Sequence, residues 1–340
     1  MGVKRTCCIW LGLGAASYLV RWYFIGRLYN SKRKFESREL IVVTGATSGI
    51  GLAVVVDLLS RGCHVVIGSH SLATGRIIGN QLHEQHPSAH VDVFELKLES
   101  LDSVVEFSEK VRGLGKPVYA LVNNAGVFYA PPSLTSDGIE YTYQVNYLAP
   151  FLLTLRLLPL LKQLQGDTRI VNVVSQAHRA IAEAPTDSNY YTAPFQDTGS
   201  ARFWAYQYSK LCLVAFSHRL SQLLATGAAV DGGLSVHCVD PGNVETAIFR
   251  HFPPLANRVA FLLQKPVRLL LVKTPFEGAQ GVLYSLLSEQ KPPFYLRRFW
   301  GPSSSDIGDV NPLVYNPSFS NALWIRSRRQ CRHHLLEMIV

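Results

Sequence analysis

Short apolar runs of four to six residues alternate along the chain with longer stretches whose apolar positions recur every three or four residues. Strands and helices wound in turn onto one parallel sheet give this pattern. It predicts strands at Leu40–Val43, His64–Ile67, Val91–Glu95, Val118–Val122, Arg169–Val174 and Leu234–Val239, with a seventh near Phe294–Arg297. Helices fit between them, at Ile50–Ser60, Leu101–Val111 and Tyr143–Leu164 among others. Pro150 and Pro159 predict a kink or break in the last of these. No repeat or linker divides residues 38–325, so the reading is one α/β domain on a doubly wound parallel sheet of about seven strands.

The first 37 residues have a different pattern. Cys7–Gly26 is apolar throughout except for Ser17 and Arg21. As a helix rising about 1.5 Å per residue it would span roughly the 30 Å hydrocarbon core of a bilayer. Trp10, Trp22 and Tyr23 lie toward its ends, and Arg21 is near enough to one end to snorkel. More positive charge follows the span than precedes it, which predicts a retained anchor with the body in the cytosol. The rival reading is a cleaved signal peptide and secretion of a soluble body.

The net charge of +9 sits at the two ends. Residues 1–40 carry +6 and residues 326–340 carry +3, leaving 21 basic and 21 acidic residues between them. A neutral body excludes a basic groove for nucleic acid, and basic ends suit an anionic membrane surface. Residues 326–340 read as a basic tail forming a surface helix. The apolar share of 48% excludes a disordered chain. Six cysteines without a C-x-x-C pair indicate neither a disulfide framework nor a zinc site, and Pro87 keeps His83, His86 and His90 off one helical face, so no metal is expected.

Candidate chemistry begins directly after the first strand, at Gly45-Ala46-Thr47-Ser48-Gly49-Ile50-Gly51. The glycines allow a tight turn and close approach of a diphosphate, which the N–H groups of the next helix would meet. No acidic residue ends the second strand to hold the ribose of NAD; His70 and Arg76 stand nearby instead, which favours NADP(H) slightly over NAD(H).

Further features follow in order. They are Asn123-Asn124-Ala125-Gly126 after the fourth strand, Asn146 in the next helix, Ser175 at the end of the fifth strand, and Tyr206 with Lys210 one helical turn apart. A tyrosine titrates at about 10, too high for easy proton exchange near neutrality. A nearby ammonium and an oxidised nicotinamide both favour the phenolate, which would let Tyr206 pass a proton to or from a carbonyl oxygen. Ser175 would hold that oxygen, and Asn146 would organise water leading from Lys210. Pro241-Gly242, Val244 and Thr246 follow the sixth strand, where Thr246 suits a nicotinamide carboxamide.

Taken with Val122–Val127, Asp137-Gly138, Val145–Leu148, Ala205-Tyr206, Ser209–Leu211, Val239–Gly242 and Lys273-Thr274-Pro275, these motifs resemble the short-chain dehydrogenases/reductases over nearly all of residues 38–325. The retinol dehydrogenase branch and the polyprenol-oxidising type are the most similar. The resemblance implies a single Rossmann-type doubly wound sheet and catalysis by Asn146, Ser175, Tyr206 and Lys210. It also implies cofactor contacts at the residues above and at Leu98, and a lipophilic alcohol or carbonyl as substrate. It places a substrate lid at residues 247–272, whose apolar and cationic make-up from Phe249 to Val272 suits a membrane interface. It further implies an endoplasmic reticulum or lipid droplet membrane, and it allows a homo-oligomer. Two positions depart from the family: Lys97 replaces the usual adenine-contacting Asp, and His70 replaces the branch's arginine. The alternative reading, a cofactor-binding scaffold without turnover, draws on Lys97 alone.

Overall fold

The computed structural model describes residues 15–23, 25–35, 40–164, 166–183, 197–226, 233–251, 265–297 and 310–335. Its strands are β1 Leu40–Thr44, β2 His64–Ser69, β3 His90–Glu95, β4 Val118–Asn123, β5 Thr168–Val173, β6 Leu234–Asp240 and β7 Tyr295–Arg297. They form one sheet in the order β3-β2-β1-β4-β5-β6-β7, with every neighbouring pair parallel. All seven fall within two residues of the predicted runs. Strands β1, β2, β4 and β5 are buried at every position, which explains why they read as continuous apolar runs and do not alternate.

Helices cover both faces. They are α1 (residues 15–23), α2 Gly49–Ser60, α3 Leu72–Gln85, α4 Leu101–Gly113, α5 Tyr141–Leu161, α6 Gly199–Thr226, α7 Lys265–Leu271, α8 Pro275–Leu287, α9 Pro317–Gln330 and α10 Arg332–Leu335. One core joins Ile41 and Val43 of β1 to Val54 and Leu58 of α2 and to Val282 and Leu286 of α8. The other joins Leu40 and Val42 to α4, α5 and α6. The strand order reverses between β1 and β4, and a crevice opens there beyond the carboxyl ends of the strands.

Three features refine the sequence reading. The irregularity in α5 is a π-turn at Gln144–Leu148, one turn before Pro150. In a continuous α-helix residue 150 would donate to the carbonyl of Asn146, and a proline has no N–H to give. Helix α5 is also the one described helix long and apolar enough to cross a membrane, yet it is 83% buried inside the domain. Finally, α9 runs straight through position 325, so the basic tail is packed on the body. Trp324 stacks against Phe216 and meets Phe151 edge-on, and Tyr147 Oη bonds Ser327 Oγ at 2.6 Å. Arg156, 1% exposed, bonds the His334 carbonyl at 2.6 Å.

Residues 1–14 of the predicted anchor, and 252–264 of the lid, lie outside the described residues. Helix α1 exposes Tyr18, Leu19, Val20, Trp22 and Tyr23 and ends at Gly26, whose φ of 77° is the left-handed conformation that closes a helix. The chain then runs along the body, where Tyr29 N donates to Gln280 and Phe35 N to the Arg61 carbonyl. Part of the basic flank is used there: Arg33 pairs with Asp167 at 3.3 Å and lies over the rings of Phe35 and Tyr119.

His237 of β6 sits between the Pro293 carbonyl, 3.0 Å from Nδ1, and the Ser235 hydroxyl, 2.8 Å from Nε2. Burial pushes its pKa down to about 4. Between pH of about 6.5 and 4 the unfolded chain takes up a proton that the folded one refuses, so this contribution is intact above that range and is lost as pH falls. The loss totals about 3 kcal/mol. Thermal unfolding in detergent should therefore show a shallower acid slope over that range for His237→Gln than for the natural chain.

Candidate active site

Strand β1 delivers the glycine-rich turn into the crevice. Gly45 and Gly49 have φ of 64° and 58°, conformations that a side chain would strain. A Cβ at Gly45 would lie 2.8 Å from the Cα of Ala125, so the turn presses directly on the end of β4. Asn124 staples the two together, its Nδ2 donating to the carbonyls of Thr44 (2.9 Å) and Gly45 (3.1 Å). Thr44 Oγ1 accepts from the N–H groups of Asn124 and Ala125, both at 3.0 Å.

Helix α2 starts at Gly49, and its N-cap Ser48 makes no side-chain cap bond. The first N–H groups of this helix are thus left for an anion, and the bare turn supplies the room. These residues fit a dinucleotide diphosphate. The cleft they head has a volume of about 610 Å³, within the range of small-molecule sites. Gly45, Thr47, Ser48, Gly49, Ile50, His70, Leu98, Ala125, Gly126, Ser175, Tyr206, Lys210, Pro241, Gly242, Val244 and Thr246 all line it.

Three expected cofactor residues are elsewhere. Gly51 lies beneath the turn, where a Cβ would meet Asn124 Nδ2 at 2.5 Å. The buried Asn123 side chain is bonded to Thr154 and Asn172. Arg76 is exposed on α3 and outside the lining. Lys97 also turns away and pairs with Glu95 at 3.0 Å, while its neighbours Leu96 and Leu98 form an apolar wall. Unforeseen at this end is Glu99, which lines the cleft and bonds His70 at 2.7 Å.

At the other end, the π-turn holds Asn146 with its side chain fully engaged. Oδ1 accepts from Val127 N (2.8 Å), and Nδ2 donates to Val127 O (2.9 Å) and Ser209 Oγ (3.0 Å). This amide therefore fixes the Gly126 loop against α6 between Tyr206 and Lys210. Gly126 keeps the space between them open, because a Cβ there would lie 3.1 Å from Asn146 Oδ1 and 3.6 Å from Lys210 Nζ.

Lys210 Nζ donates to the Val173 carbonyl at 2.9 Å and lies 5.8 Å from the Tyr206 ring centroid. Burial pushes Lys210 down to about 8, opposed by the carboxylate of Asp240. Burial also pushes Tyr206 up to about 12, although a hydrogen bond with Ser175 pulls the other way. The phenolate is thus not favoured by this protein environment alone: desolvation exceeds the help expected from the lysine.

Asp240, another unforeseen lining residue, is buried at the end of β6. It accepts from Gln176 N (3.1 Å) and Gly242 N (3.0 Å), joining the Ser175 loop to the Pro241-Gly242 turn. Burial raises its pKa as well. Aromatic rings close the mouth: Phe128 lies 4.8 Å from Tyr206, 5.8 Å from Phe203 and 5.6 Å from Phe249. Spacing hinted at Phe203, one helical turn before Tyr206, and Asp240 lies inside the Val239–Gly242 motif, whereas Glu99 had no local signal.

A family model for short chain dehydrogenase matches residues 39–193. Human polyprenol dehydrogenase is 34% identical over 293 residues, which cover 85% of this chain and 84% of that protein. Human retinol dehydrogenase 13 is 31% identical over 278 residues, covering 82% and 80%. Among solved structures, an uncharacterised protein from Mycobacterium paratuberculosis is similar with a TM-score of 0.64 at 24% identity, over 90% of this chain and 98% of its own. L-sorbose reductase from Gluconobacter frateurii, solved with NADPH and L-sorbose, gives a TM-score of 0.60 at 18% identity, over 79% and 98%. These two solved structures show the fold; the identity and coverage of the human relatives show more, and the chain belongs to the short-chain dehydrogenase/reductase family of NAD(P)(H)-dependent oxidoreductases.

Proposed function

We propose that this enzyme interconverts a lipophilic alcohol (retinoid, polyprenol or steroid-like) and its aldehyde or ketone at a membrane, with Tyr206 as the acid/base. The observation that carries this reading is the aromatic cluster beside Tyr206, with Phe128 packed on its ring and Phe203 and Phe249 packed on Phe128, an apolar mouth on a polar floor. Relatives named for retinol and polyprenol oxidation support the same substrate class.

The glycine-rich turn and the start of α2 would hold the diphosphate, and Val244 and Thr246 the nicotinamide end. The Glu99 carboxylate suits ribose hydroxyls, so NAD(H) is accommodated alongside NADP(H). When bound, the nicotinamide supplies or accepts hydride at the substrate carbon. In the reducing direction the neutral Tyr206 phenol gives its proton to the carbonyl oxygen as that oxygen gains charge, and Ser175 donates a hydrogen bond to the same atom. Lys210, 2.9 Å from the Val173 carbonyl and one turn along α6 from Tyr206, would keep a positive charge near the phenolic oxygen as the proton leaves. Asn146 would organise water leading from Lys210, its carbonyl left without the helical donor that Pro150 cannot supply. Attachment to the endoplasmic reticulum or lipid droplet through α1 and the residues before it, with the body in the cytosol, would bring such substrates to the cleft.

The direct test is the absorbance change of reduced nicotinamide with a panel of lipid alcohols and aldehydes, in the presence of vesicles. No turnover on any member, with cofactor binding intact, would leave the scaffold reading. Tyr206→Phe should lower turnover by about 10²–10⁴-fold while cofactor binding, read by fluorescence titration, stays near normal. Lys210→Ala should weaken both, and carbonyl reduction by the natural enzyme should fall as pH rises through about 8, where Lys210 loses its proton. Deleting residues 1–24 should move most of the protein from the vesicle pellet to the supernatant; unchanged pelleting would place the membrane contact elsewhere.

A further inference from the structure

Arg21 was expected to reach out of an apolar helix toward lipid headgroups, but the structure turns it inward. Its Nη2 donates to both carboxylate oxygens of Glu277, at 2.9 and 2.8 Å, and its Nη1 donates to the Val272 carbonyl at 2.6 Å. Both side chains are largely buried, with 23% and 14% exposed. One guanidinium nitrogen thus serves the carboxylate and the other the carbonyl, and in that setting the charge-assisted pair is more directional than a surface pair. Glu277 is also the N3 residue of the capping box that starts α8, bonding the N–H of Thr274 at 2.7 Å.

The residue after Val272 belongs to the cofactor cleft's own framework. Lys273 N donates to Asn243 O and Lys273 O accepts from Glu245 N, both at 2.8 Å, so Lys273 pairs in parallel with Val244. Arg268 of α7 bonds Glu245 at 2.9 Å, and Gly278 of α8 lets Val244 and Ile50 pack against its backbone. Thr246 in turn sits on the glycine turn, its methyl 2.9 Å from where a Cβ on Gly49 would be. A continuous series of contacts therefore runs from Arg21 through Val272 and Lys273 to Val244 and Thr246.

We infer that Arg21 is a positioning residue: it clamps the N-terminal helix onto the base of the lid and through it holds the Asn243–Thr246 segment in shape for the dinucleotide. The inference rests on the reading of the cleft as a dinucleotide site.

The test uses the full chain in detergent micelles and follows NADPH and NADH binding by fluorescence, a readout independent of turnover. Arg21→Ala and Glu277→Gln, the latter keeping a residue able to close the capping box, should each weaken binding by about fivefold. The double variant should be no weaker than Arg21→Ala alone, because the Arg21–Glu277 bond is already lost there. Arg21→Lys should recover only part of the loss, since one ammonium cannot replace the fork. Arg27→Ala, an exposed cation on the same strap, should change nothing. If the natural chain binds dinucleotide and neither single variant alters it, the helix is a tether and the inference fails. If the natural chain binds no dinucleotide, the functional reading fails first. Hydrogen exchange at the Glu245 amide then decides the clamp: faster exchange in Arg21→Ala supports it, and unchanged exchange overturns it.

Discussion

One buried amide links the parts of the candidate active site to each other. Asn146 bonds both backbone groups of Val127 and the hydroxyl of Ser209, and Ser209 in turn donates to the carbonyl of Tyr206 at 2.8 Å. Three separate pieces of chain, the loop after β4, the π-turn of α5 and the long helix α6, are held at one spacing by it. A buried amide left unpaired would cost about 1–3 kcal/mol, so each partner is constrained to stay. The spacing of Tyr206 and Lys210 from the glycine loop then follows without any further contact between them.

The interior sets the electrostatics as strongly as the geometry. Burial moves Tyr206 up and Lys210 down, and it raises Asp240 too, so each is pushed toward its uncharged form. The groups stay useful because each has a small number of strong partners: Val173 O for the lysine, two N–H groups for the aspartate, Ser175 for the tyrosine. The Phe128 ring packed on Tyr206, which suits the lipophilic substrate proposed, belongs to the same apolar surroundings that raise the pKa of the phenol. A more polar mouth would loosen both properties together.

Much of this was legible in the sequence, and for a local reason. Strands buried on both faces are rich in apolar residues, and turns pressed against Ala125 and Thr246 must be glycine, so β1, β2, β4, β5, Gly45 and Gly49 declare themselves locally. Tyr206 and Lys210 share a helical face by spacing alone. Pairings made across the fold leave no such mark. Nothing near Arg21 announces Glu277, and nothing in the Leu96–Glu99 stretch announces His70. Residues from 326 on read as a separate basic tail because the contacts of the helix that begins at Pro317, Leu323, Trp324 and Ser327, are spread among exposed cations, so no apolar stripe runs through the boundary.

The docking of that last helix has a consequence for how the protein is made. Phe151, Phe216 and Tyr147 present one apolar surface, and its cover, Trp324 with the residues around it, is translated more than a hundred residues after Phe216. At synthesis rates of about 5–20 residues per second, the surface stands open for on the order of five to twenty seconds on the ribosome. During that interval the nascent domain offers a ring-lined face to chaperones and to other nascent chains, and only the arrival of residues 317–335 removes it from their reach.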